Sequence, residues 1–486
     1  MAITAWPAVT NGLPTKQDKM QMFSCPEPIH LPPRFAALKE SLASGREVAL
    51  TSSWNRLLHA IRGEARAVSN QGSKAIPTIN FADISKAKHA GTFQHELRQR
   101  GVGIIRNVVP RSTALEWEEG IGCSLSQNPT TKASPAKDPQ LYETYWSLPQ
   151  VQARAHPNVL EAQRFAMGIW ASKDPSSPIS TSFPITYADR VRIRIPTFEN
   201  ITPSAHIDGG SVERWEPDGY GSSNTYKHIF DGHWEHYDPW ESSTRLSVTS
   251  DLYRGAGSCS IFRAFQGLLA TSPTSKPLQV CPMLRLTTAY FLLRPFFGPS
   301  SSSSSLDNWT LSQPQSSILH GALPSYTQAI NPALHPHLQL DKTLVNIDHL
   351  DPGDYVIWHP DLIHVMDHPH TSPRPSVAMY LPACPLTQTN ALYLARQRQM
   401  FLLGHPGPDF AGGRGESDYQ GRLGVQDVND AGGDDGLRAM GLFPFDEEEA
   451  ESEAERRVLS MANAILFPYL YDSVRQRRGS DGKFGF

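Results

Sequence analysis

The sequence has few of the features that mark secreted, membrane-spanning or nucleic-acid-binding proteins. Its cysteines, Cys25, Cys123, Cys259, Cys281 and Cys384, are odd in number and include no CxxC pair, which argues against a disulfide framework and a zinc ribbon. No window approaches the roughly 20 apolar residues that span a bilayer, and the N-terminus lacks the charged-then-apolar order of a secretory signal. Lys and Arg total 44 against 48 for Asp and Glu, so no basic excess indicates a polyanionic partner. We therefore expect a cytoplasmic protein that binds neither membranes nor nucleic acids.

The chain does contain enough apolar sequence to form a large core. Of its 486 residues 39% are hydrophobic, and its 40 prolines and 35 glycines are typical of a β-rich enzyme with long loops. Changes in composition predict three parts. They are an N-terminal arm with helices (residues 1–75), a main domain (76–402), and a Gly/Asp-rich loop followed by a C-terminal helical extension (403–486).

Apolar periodicity predicts an α+β protein. In the main domain a helix ending at Gly101 leads into an apolar strand, Val102–Val109, and helical patterns dominate between Leu115 and Ala171. Arg190–Ile195 alternates polar and apolar residues, as a half-buried strand does. Long loops between the strands favour a sandwich or barrel over a parallel sheet of βαβ units. Further predicted strands are Leu246–Leu252, Leu284–Phe291, Tyr355–Trp358 and Val377–Leu381, and the arm has predicted helices at Phe35–Leu42 and Trp54–Ala67.

Three polar segments complete this outline. Ser300–Ser305 is a serine run that predicts an exposed loop, and Gly404–Gly436 has the Gly and Asp content of irregular structure. The acidic run Asp446–Glu455 suits a helix N-terminus, so we predict a helix that starts there and continues to Leu470.

The sharpest local motif is His206-Ile207-Asp208. In extended backbone alternate side chains share a face, so His206 and Asp208 point the same way and can hold one metal ion. Imidazole plus carboxylate suits Fe(II), and the following pair, Gly209 and Gly210, leaves space for groups that approach the metal. Because a chain with 18 histidines can contain this short pattern by chance, a metal site needs a third ligand from elsewhere.

A second segment, residues 353–364 (GDYVIWHPDLIH), offers that ligand. A Pro-Gly-Asp turn starts a short apolar strand, the chain bends at a proline, and His364 follows an apolar pair. His359 is the competing ligand, but it lies at the strand end beside the bulky Trp358, so we favour His364. Arg374, ten residues beyond His364, could bind a carboxylate bidentately near the metal.

The order of these motifs resembles the Fe(II)- and 2-oxoglutarate-dependent oxygenases of the double-stranded β-helix fold. More closely, roughly residues 80–400 are similar to an oxygenase-like family known as domain of unknown function 1479. Two positions depart from that family's pattern. Ser204-Ala205 stands where Gly-Pro is usual, and Leu268 stands where Trp is usual. The second departure is expected to change the shape of a pocket wall, so a relative's substrate does not transfer to this chain. The shared motifs are LYETYWSLPQ (141–150), YADRVRIRIP (187–196), HIDGGSVERW (206–215), FRAFQG (262–267) and MYLPACPL (379–386).

This resemblance implies a jelly-roll, cupin-like core, buttressed by helices, that holds Fe(II) through His206, Asp208 and His364. It also implies that Arg374 binds the C5 carboxylate of 2-oxoglutarate, the cosubstrate used together with O₂. The implied activity is oxidation of a C–H bond in a small molecule, such as an amino acid or an intermediate of secondary metabolism, by hydroxylation, desaturation or ring closure. The alternatives are a non-catalytic cupin-like binding protein and a metal-dependent enzyme that does not use 2-oxoglutarate.

Further residues in or near the shared motifs are candidates for the substrate pocket. Some of the arginines are expected to bind an acidic substrate, and structural ion pairs are the competing interpretation. These arginines are Arg192, Arg194, Arg214, Arg245 and Arg263, and the weaker pocket candidates are Tyr142, Trp146 and Gln266.

Overall fold

The computed structural model describes residues 27–134, 140–196, 204–255, 258–300, 306, 308–366, 372–410, 413–419 and 421–469. The helices are α1 (Arg34–Ala43), α2 (Glu47–Gln71), α3 (Ala87–Arg100), α4 (Arg111–Gln127), α5 (Leu148–Ala155), α6 (Pro157–Met167), α7 (Lys227–Phe230), α8 (Leu284–Leu293), α9 (Leu340–Thr343), α10 (Gln388–Leu403), α11 (Val425–Ala439) and α12 (Glu453–Leu466). The strands are β1 (Thr78–Asn80), β2 (Val102–Arg106), β3 (Ala133–Ser134), β4 (Leu141–Tyr142), β5 (Ile179–Ile185), β6 (Val191–Arg194), β7 (Ala205–Ile207), β8 (Gln266–Ala270), β9 (Thr274–Ser275), β10 (Gln279–Val280), β11 (Phe297–Pro299), β12 (Trp309–Leu311), β13 (Gln328–Ile330), β14 (Val345–Asn346), β15 (His349–Leu350), β16 (Tyr355–Trp358), β17 (His364–Val365), β18 (Ser376–Tyr380) and β19 (Cys384–Thr387).

Two sheets form the centre of the fold. Within the described residues the larger sheet has eight strands in the order β1-β2-β16-β8-β18-β6-β4-β3, and the smaller has five in the order β13-β7-β17-β10-β14. The chain alternates between them, because β6, β8, β16 and β18 lie in the larger sheet whereas β7, β10, β14 and β17 lie in the smaller. Smaller two-stranded sheets pair β11 with β12, β15 with β9, and β19 with β5. The predicted α+β class is confirmed.

The two main sheets contribute to one buried core. Ile193 of β6, Leu269 of β8 and Val365 of β17 are buried in the same hydrophobic cluster. Arg192 of β6 also donates a hydrogen bond to the carbonyl of Met366, which directly follows β17. The larger sheet therefore contacts the strand end of the smaller sheet that carries His364.

The helix and strand predicted on either side of Gly101 are present as α3 and β2. Gly101 adopts a left-handed φ of 76° and ends the helix, which a residue without Cβ does at little cost. The strand is shorter than predicted, because Asn107 has a φ of 56° and turns the chain out of the sheet. The side chain of Asp354 accepts the Asn107 N–H at 2.9 Å and pairs with Arg106 at 2.5 Å, which stabilises this turn.

Two predicted strands were wrong. Leu284–Phe291 lies in helix α8, nearly all of whose residues are buried. A short run that is apolar on every side has no period that separates a buried strand from a buried helix. Leu246–Leu252 forms turns after a 3₁₀ turn at Ser243–Arg245, and its backbone makes the hydrogen bond from Val248 N to Arg245 O. The predicted strands Tyr355–Trp358 and Val377–Leu381 correspond to β16 and, within one residue at each end, β18.

The C-terminal part contains more helix than predicted. The Gly-rich run Gly404–Gly436 includes most of α11, whose first turn is capped by a hydrogen bond from Gly424 N to Asp427 at 2.7 Å. Helix α12 begins later than the predicted Asp446, since Ser452 caps it by accepting the Glu455 N–H at 3.1 Å. The predicted end at Leu470 and the serines at 301–305 lie outside the described residues.

The N-terminal helices pack on the main domain. Both arm helices predicted from the sequence are present as α1 and the longer α2. Trp54 of α2 stacks on Phe297 with ring centroids 4.6 Å apart and belongs to the same buried cluster as the sheets. Whether residues 1–75 form a separate part of the protein therefore stays a prediction. Within the described residues, no helix is both long enough and apolar enough to cross a membrane.

Candidate metal centre

His206 and His364 lie opposite each other on neighbouring strands of the smaller sheet. β7 and β17 are antiparallel, and these two histidines are direct cross-strand partners with ring centroids 4.3 Å apart. Asp208 follows the end of β7 and turns its carboxylate toward both rings. His206 Nε2 lies 3.5 Å from Asp208 Oδ1, and His364 Nε2 lies 3.3 Å from Asp208 Oδ2. The fold thus brings together the three residues predicted as metal ligands.

The other ring nitrogens fix which atoms face the centre. The Nδ1 atoms of His206 and His364 are each 3.0 Å from the backbone carbonyl two residues earlier, those of Ser204 and Leu362. A carbonyl only accepts, so in each ring Nδ1 carries the proton and Nε2 presents a lone pair toward Asp208. Such a hydrogen bond is the usual orientation device of a metal-binding histidine.

Two lone pairs and a carboxylate therefore converge on one point. Facing acceptors repel one another unless a cation lies between them, which makes this a suitable place for a metal ion. Metal–ligand bonds of about 2.1 Å that meet at right angles place their donor atoms about 3 Å apart, close to the distances seen here. Within the described chain, the atoms of His206, Asp208 and His364 form the one group of three such donors, all within 4.8 Å of one another.

Electrostatics keep Asp208 ionised. Burial would raise the pKa of this carboxyl, but His364 and His206, in their protonated forms, and the guanidinium of Arg263 hold it well below its usual range. Gln266, the first residue of β8, donates a hydrogen bond to Asp208 Oδ2 at 2.5 Å. Of the predicted pocket residues, Gln266 is therefore one that directly contacts the triad.

His359, the competing ligand, has a structural role. It is fully buried and stacks on Trp170 with ring centroids 5.1 Å apart. Its Nδ1 accepts the Asp361 N–H and its Nε2 donates to the Pro239 carbonyl, both at 3.0 Å. Burial lowers the pKa of His359 to about 3, so the ring is neutral and has no lone pair left for a metal.

Asp361 forms a buried ionic network beside the centre. Its carboxylate accepts hydrogen bonds from Arg245 at 2.8 Å and from the Tyr226 hydroxyl at 3.2 Å, and Arg214 lies 3.7 Å away. Gly209, next to Asp208, approaches this carboxylate so closely that an added Cβ would lie 3.2 Å from it. The network thus positions the turn that carries Asp208.

A cavity opens beside Asp208. Its wall combines the apolar side chains of Val248, Ile261 and Phe262 with the guanidinium of Arg263. These residues come from the long connection between β7 and β8. Sequence analysis did not identify its apolar members, because this irregular connection has no period that shows which side chains face inward.

The remaining predicted arginines occupy different places. Arg192 and Arg194 are buried on β6, and Arg194 donates to the carbonyls of Ser275 and Lys276 at 3.3 and 3.1 Å. Arg374 is exposed in the segment before β18. There its charge partly offsets the rise that burial causes in the pKa of Glu118 on α4.

Three predicted pocket residues have other surroundings. Arg214 is buried and donates to the carbonyl of Gly210 and to Gln328, so it is a structural arginine. Tyr142 lies on β4 near the edge of the larger sheet. Trp146 lines a separate groove beside α4 and α5 and donates its indole N–H to the His405 carbonyl at 2.6 Å.

The family of the chain follows from comparison with known proteins. The chain belongs to the Gig2-like family, whose model matches residues 29–442. The resemblance to domain of unknown function 1479 is thereby confirmed, since the Candida albicans protein GlcNAc Inducible Gene 2, GIG2, carries that designation. Its crystal structure is 29% identical, has a TM-score of 0.80, and covers 93% of this chain and 100% of its own.

Bacterial relatives share the same fold. The uncharacterized protein YbiU of Escherichia coli K12 is 29% identical over 395 residues, which cover 78% of this chain and 88% of YbiU. A Salmonella typhimurium LT2 protein with the provisional name of oxidoreductase is 26% identical with a TM-score of 0.71. That match covers 85% of this chain and 98% of the Salmonella protein.

Proposed function

We propose that this protein is a non-haem Fe(II)- and 2-oxoglutarate-dependent oxygenase that oxidises a C–H bond of a small molecule. The observation that carries the proposal is the convergence of His206 Nε2, His364 Nε2 and the Asp208 carboxylate on one point, with both histidines oriented through their Nδ1 atoms. Two imidazoles and one carboxylate on one side of a metal, with its other positions open, are the ligand set of non-haem Fe(II) oxygenases.

The strand order supports a double-stranded β-helix as the core. Passing from β6 to β7, β8 and β10, the chain crosses between the two main sheets at each step. It remains in the smaller sheet for β14, and then alternates again through β16, β17 and β18. A jelly roll winds in this way, and β7 and β17, which carry the two histidines, are neighbours because of it.

Iron held by the triad would supply the redox chemistry that couples the oxidation of a substrate C–H bond to the conversion of 2-oxoglutarate and O₂ into succinate and CO₂. The surrounding residues position this chemistry. Gln266 orients the Asp208 carboxylate by donating a hydrogen bond to one of its oxygens. Gly209, which has no side chain, allows the Asp361 carboxylate to lie close to the backbone next to Asp208. Hydroxylation, desaturation and ring closure then differ in which substrate atom the cavity holds near the metal.

Arg374 remains our proposed partner of the 2-oxoglutarate C5 carboxylate. It precedes Ser376 by two residues, and Ser376 and Ala378 of β18 are the cross-strand partners of Arg194 and Arg192. Arg374 thus lies in the bend that leads into β18, the strand that pairs with the two buried arginines of β6. A guanidinium can bind one end of a dicarboxylate bidentately.

Two other functions lead to different measurements. A cupin-like binding protein without catalysis would hold metal but would form no succinate. A metal-dependent enzyme that does not use 2-oxoglutarate would hold metal and would not respond to 2-oxoglutarate. The oxygenase is favoured over both, because it alone accounts for an arginine ten residues after the third ligand, as in the oxygenases that the sequence resembles.

The test is iron content together with succinate release from 2-oxoglutarate. The wild-type chain should bind one Fe(II) and form succinate when a substrate is present, whereas His206→Ala and Asp208→Ala should bind none. His349→Ala is the matched control, because His349 is an exposed histidine that also stands two residues before an aspartate. Iron retained in full by the double variant His206→Ala/His364→Ala would show that the triad is not the metal site.

A further inference from the structure

Arg263 differs from the other arginines near the centre in having no partner of its own. It lines the cavity beside Asp208, close enough for its charge to lower the pKa of that carboxyl. Within the described chain, no hydrogen bond or ion pair engages its guanidinium, which rests over the ring of Tyr187 at 5.8 Å. A guanidinium in a partly enclosed cavity that no carboxylate of the described residues contacts directly can bind an anionic ligand.

The neighbouring arginines are all engaged. Arg245, which lines the same cavity, is held by Asp361 at 2.8 Å. Arg214 donates to Gln328 at 3.0 Å, and Arg192 donates to the Met366 carbonyl. Arg263 is therefore the cation in this cavity that is available to a ligand.

The position of Arg263 is built into the fold. Three residues before it, Ser260 donates both its backbone N–H and its hydroxyl to Asp409, at 2.9 and 2.6 Å. The Tyr187 hydroxyl also donates to Asp409, at 2.9 Å, so the ring beneath Arg263 and the turn before it share one anchor. The C-terminal segment thus holds the turn that presents Arg263 to the cavity.

The rest of the wall defines the other half of the ligand. Val248, Ile261 and Phe262 provide apolar surface beside Arg263, and Asp208 marks the metal end of the cavity. The cavity therefore fits a small molecule with an anionic group at one end and a carbon skeleton that extends toward the metal.

We propose that the primary substrate is a small organic acid whose carboxylate binds Arg263 while its carbon chain packs on Val248, Ile261 and Phe262. This inference rests on the proposed function for the reaction, but the anion site itself is defined by Arg263. The cosubstrate is also a carboxylate, and it is assigned to the face of Arg374 at β18, whereas Arg263 precedes β8 and lines the open cavity. The experiment separates these two sources of carboxylate.

The test is titration calorimetry with matched acids and amides. The Fe(II) protein, kept anaerobic and saturated with 2-oxoglutarate, is titrated with hexanoate, benzoate and N-acetylglycine and with the corresponding carboxamides. The acids should bind more tightly than the amides. Arg263→Met should remove this preference and weaken acid binding by about 30-fold, the equivalent of a lost charge-assisted hydrogen-bond pair. Arg263→Lys should restore part of it, and the exposed Arg285→Met should behave as wild type.

Other outcomes overturn the proposal. Acids that show no advantage over their amides, including the case in which none binds, exclude an anion site of this kind. The affinity of Arg263→Met for 2-oxoglutarate is measured through the charge-transfer band of the anaerobic complex. A loss of that affinity would assign Arg263 to the cosubstrate instead. If the wild type lacks iron or that charge-transfer band, the proposed oxygenase function is wrong. The anion site is then tested independently, because the same titration of the metal-free protein decides the role of Arg263.

Discussion

The two sites centred on Asp208 and Asp361 are built from the same sequence pattern and differ in their environment. In each, a histidine stands two residues before an aspartate, as His206 does for Asp208 and His359 for Asp361. The side chain of Asp208 is 24% exposed and faces two histidine lone pairs, whereas that of Asp361 is fully buried and accepts hydrogen bonds from Arg245 and Tyr226. The polar atoms around Asp361 have partners in the fold, whereas those around Asp208 face one another at the metal centre that we propose.

The difference lies in how many of the polar atoms already have partners. Both ring nitrogens of His359 are used, one as acceptor from Asp361 N–H and one as donor to the Pro239 carbonyl. His206 and His364 each use Nδ1 on a carbonyl of their own strand and keep Nε2 for the centre. A metal site can thus be distinguished from a structural pair by the atoms that remain unsatisfied after the fold is formed.

The largest expected effect comes from replacing one histidine in each of the two sites. His364→Ala should abolish iron binding and succinate formation, because it removes one of three ligands. His359→Gln should keep the iron and part of the turnover, and should lower the free energy of unfolding by about 1–3 kcal/mol through its lost hydrogen bonds. Iron content, succinate release and denaturant unfolding of both variants give the comparison. The reverse pattern would leave His206 and Asp208 as the assigned ligands and return His359 to the centre.

The pattern alone could not predict which of these sites brings three possible metal ligands together. A histidine two residues before an aspartate occurs four times in the sequence, and His236 and His349 begin the other two. From the sequence, His364 was favoured over His359 because His359 lies beside the bulky Trp358, and because the resemblance to the oxygenases implies His364 as the ligand. The partners that saturate Asp361 could not be predicted, because Arg245 lies 116 residues away along the chain.

The fold was predicted best where local chemistry decides it. The left-handed glycine at the end of α3 and the apolar run of β16 are local signals, and both predictions are confirmed. Helix α8 was missed because most of its residues are buried, so its sequence has no clear period and its helical form depends on packing against α2 and other elements. The cavity wall was missed because residues 246–255 and 258–262 are irregular, so their inward-facing side chains follow no regular period.

A second expected effect concerns Arg374, the arginine that we propose binds the cosubstrate. Arg374→Leu removes a charge-assisted pair worth about 2–4 kcal/mol, so the affinity for 2-oxoglutarate should fall roughly 30- to 1,000-fold. Iron should stay bound, because no metal ligand changes. Anaerobic titration of the Fe(II) protein, followed by its metal-to-ligand charge-transfer band, measures the affinity.

Arg285→Met is the matched control for this prediction, since it removes an exposed guanidinium from α8, a helix that carries none of the proposed ligands. The control should keep the affinity for 2-oxoglutarate close to that of the wild type. An unchanged affinity in Arg374→Leu would move the cosubstrate's carboxylate to another arginine, and Arg192 and Arg194 on the same face of β6 would be tested next.

The smallest expected effect is the pH dependence of the Asp361 site. Burial alone would raise the pKa of Asp361, but Arg245, His359 and Arg214 lower it from 3.8 to about 2. A carboxyl whose pKa is lower in the folded state binds fewer protons there, so it contributes stability above the unfolded pKa. The shift corresponds to about 2 kcal/mol at neutral pH. This contribution should decrease as the pH falls from about 4 toward 2.

Asp361→Asn measures this contribution because it keeps the shape of the side chain and removes its charge. Near pH 6 the variant should unfold at lower denaturant concentration than the wild type, since Arg245 and Arg214 lose their buried counter-ion. At pH 3 the difference in the free energy of unfolding should be smaller by about 1 kcal/mol, because the unfolded carboxyl then binds a proton that the folded carboxyl, with its lower pKa, does not bind. Asp351→Asn is the control, since its side chain is 56% exposed and its ion pair with Arg111 lies at the surface, where such pairs contribute little. A difference between wild type and Asp361→Asn that is the same at pH 6 and pH 3 would mean that the network does not lower the pKa of Asp361, and that its carboxyl stabilises the turn beside the metal by packing alone.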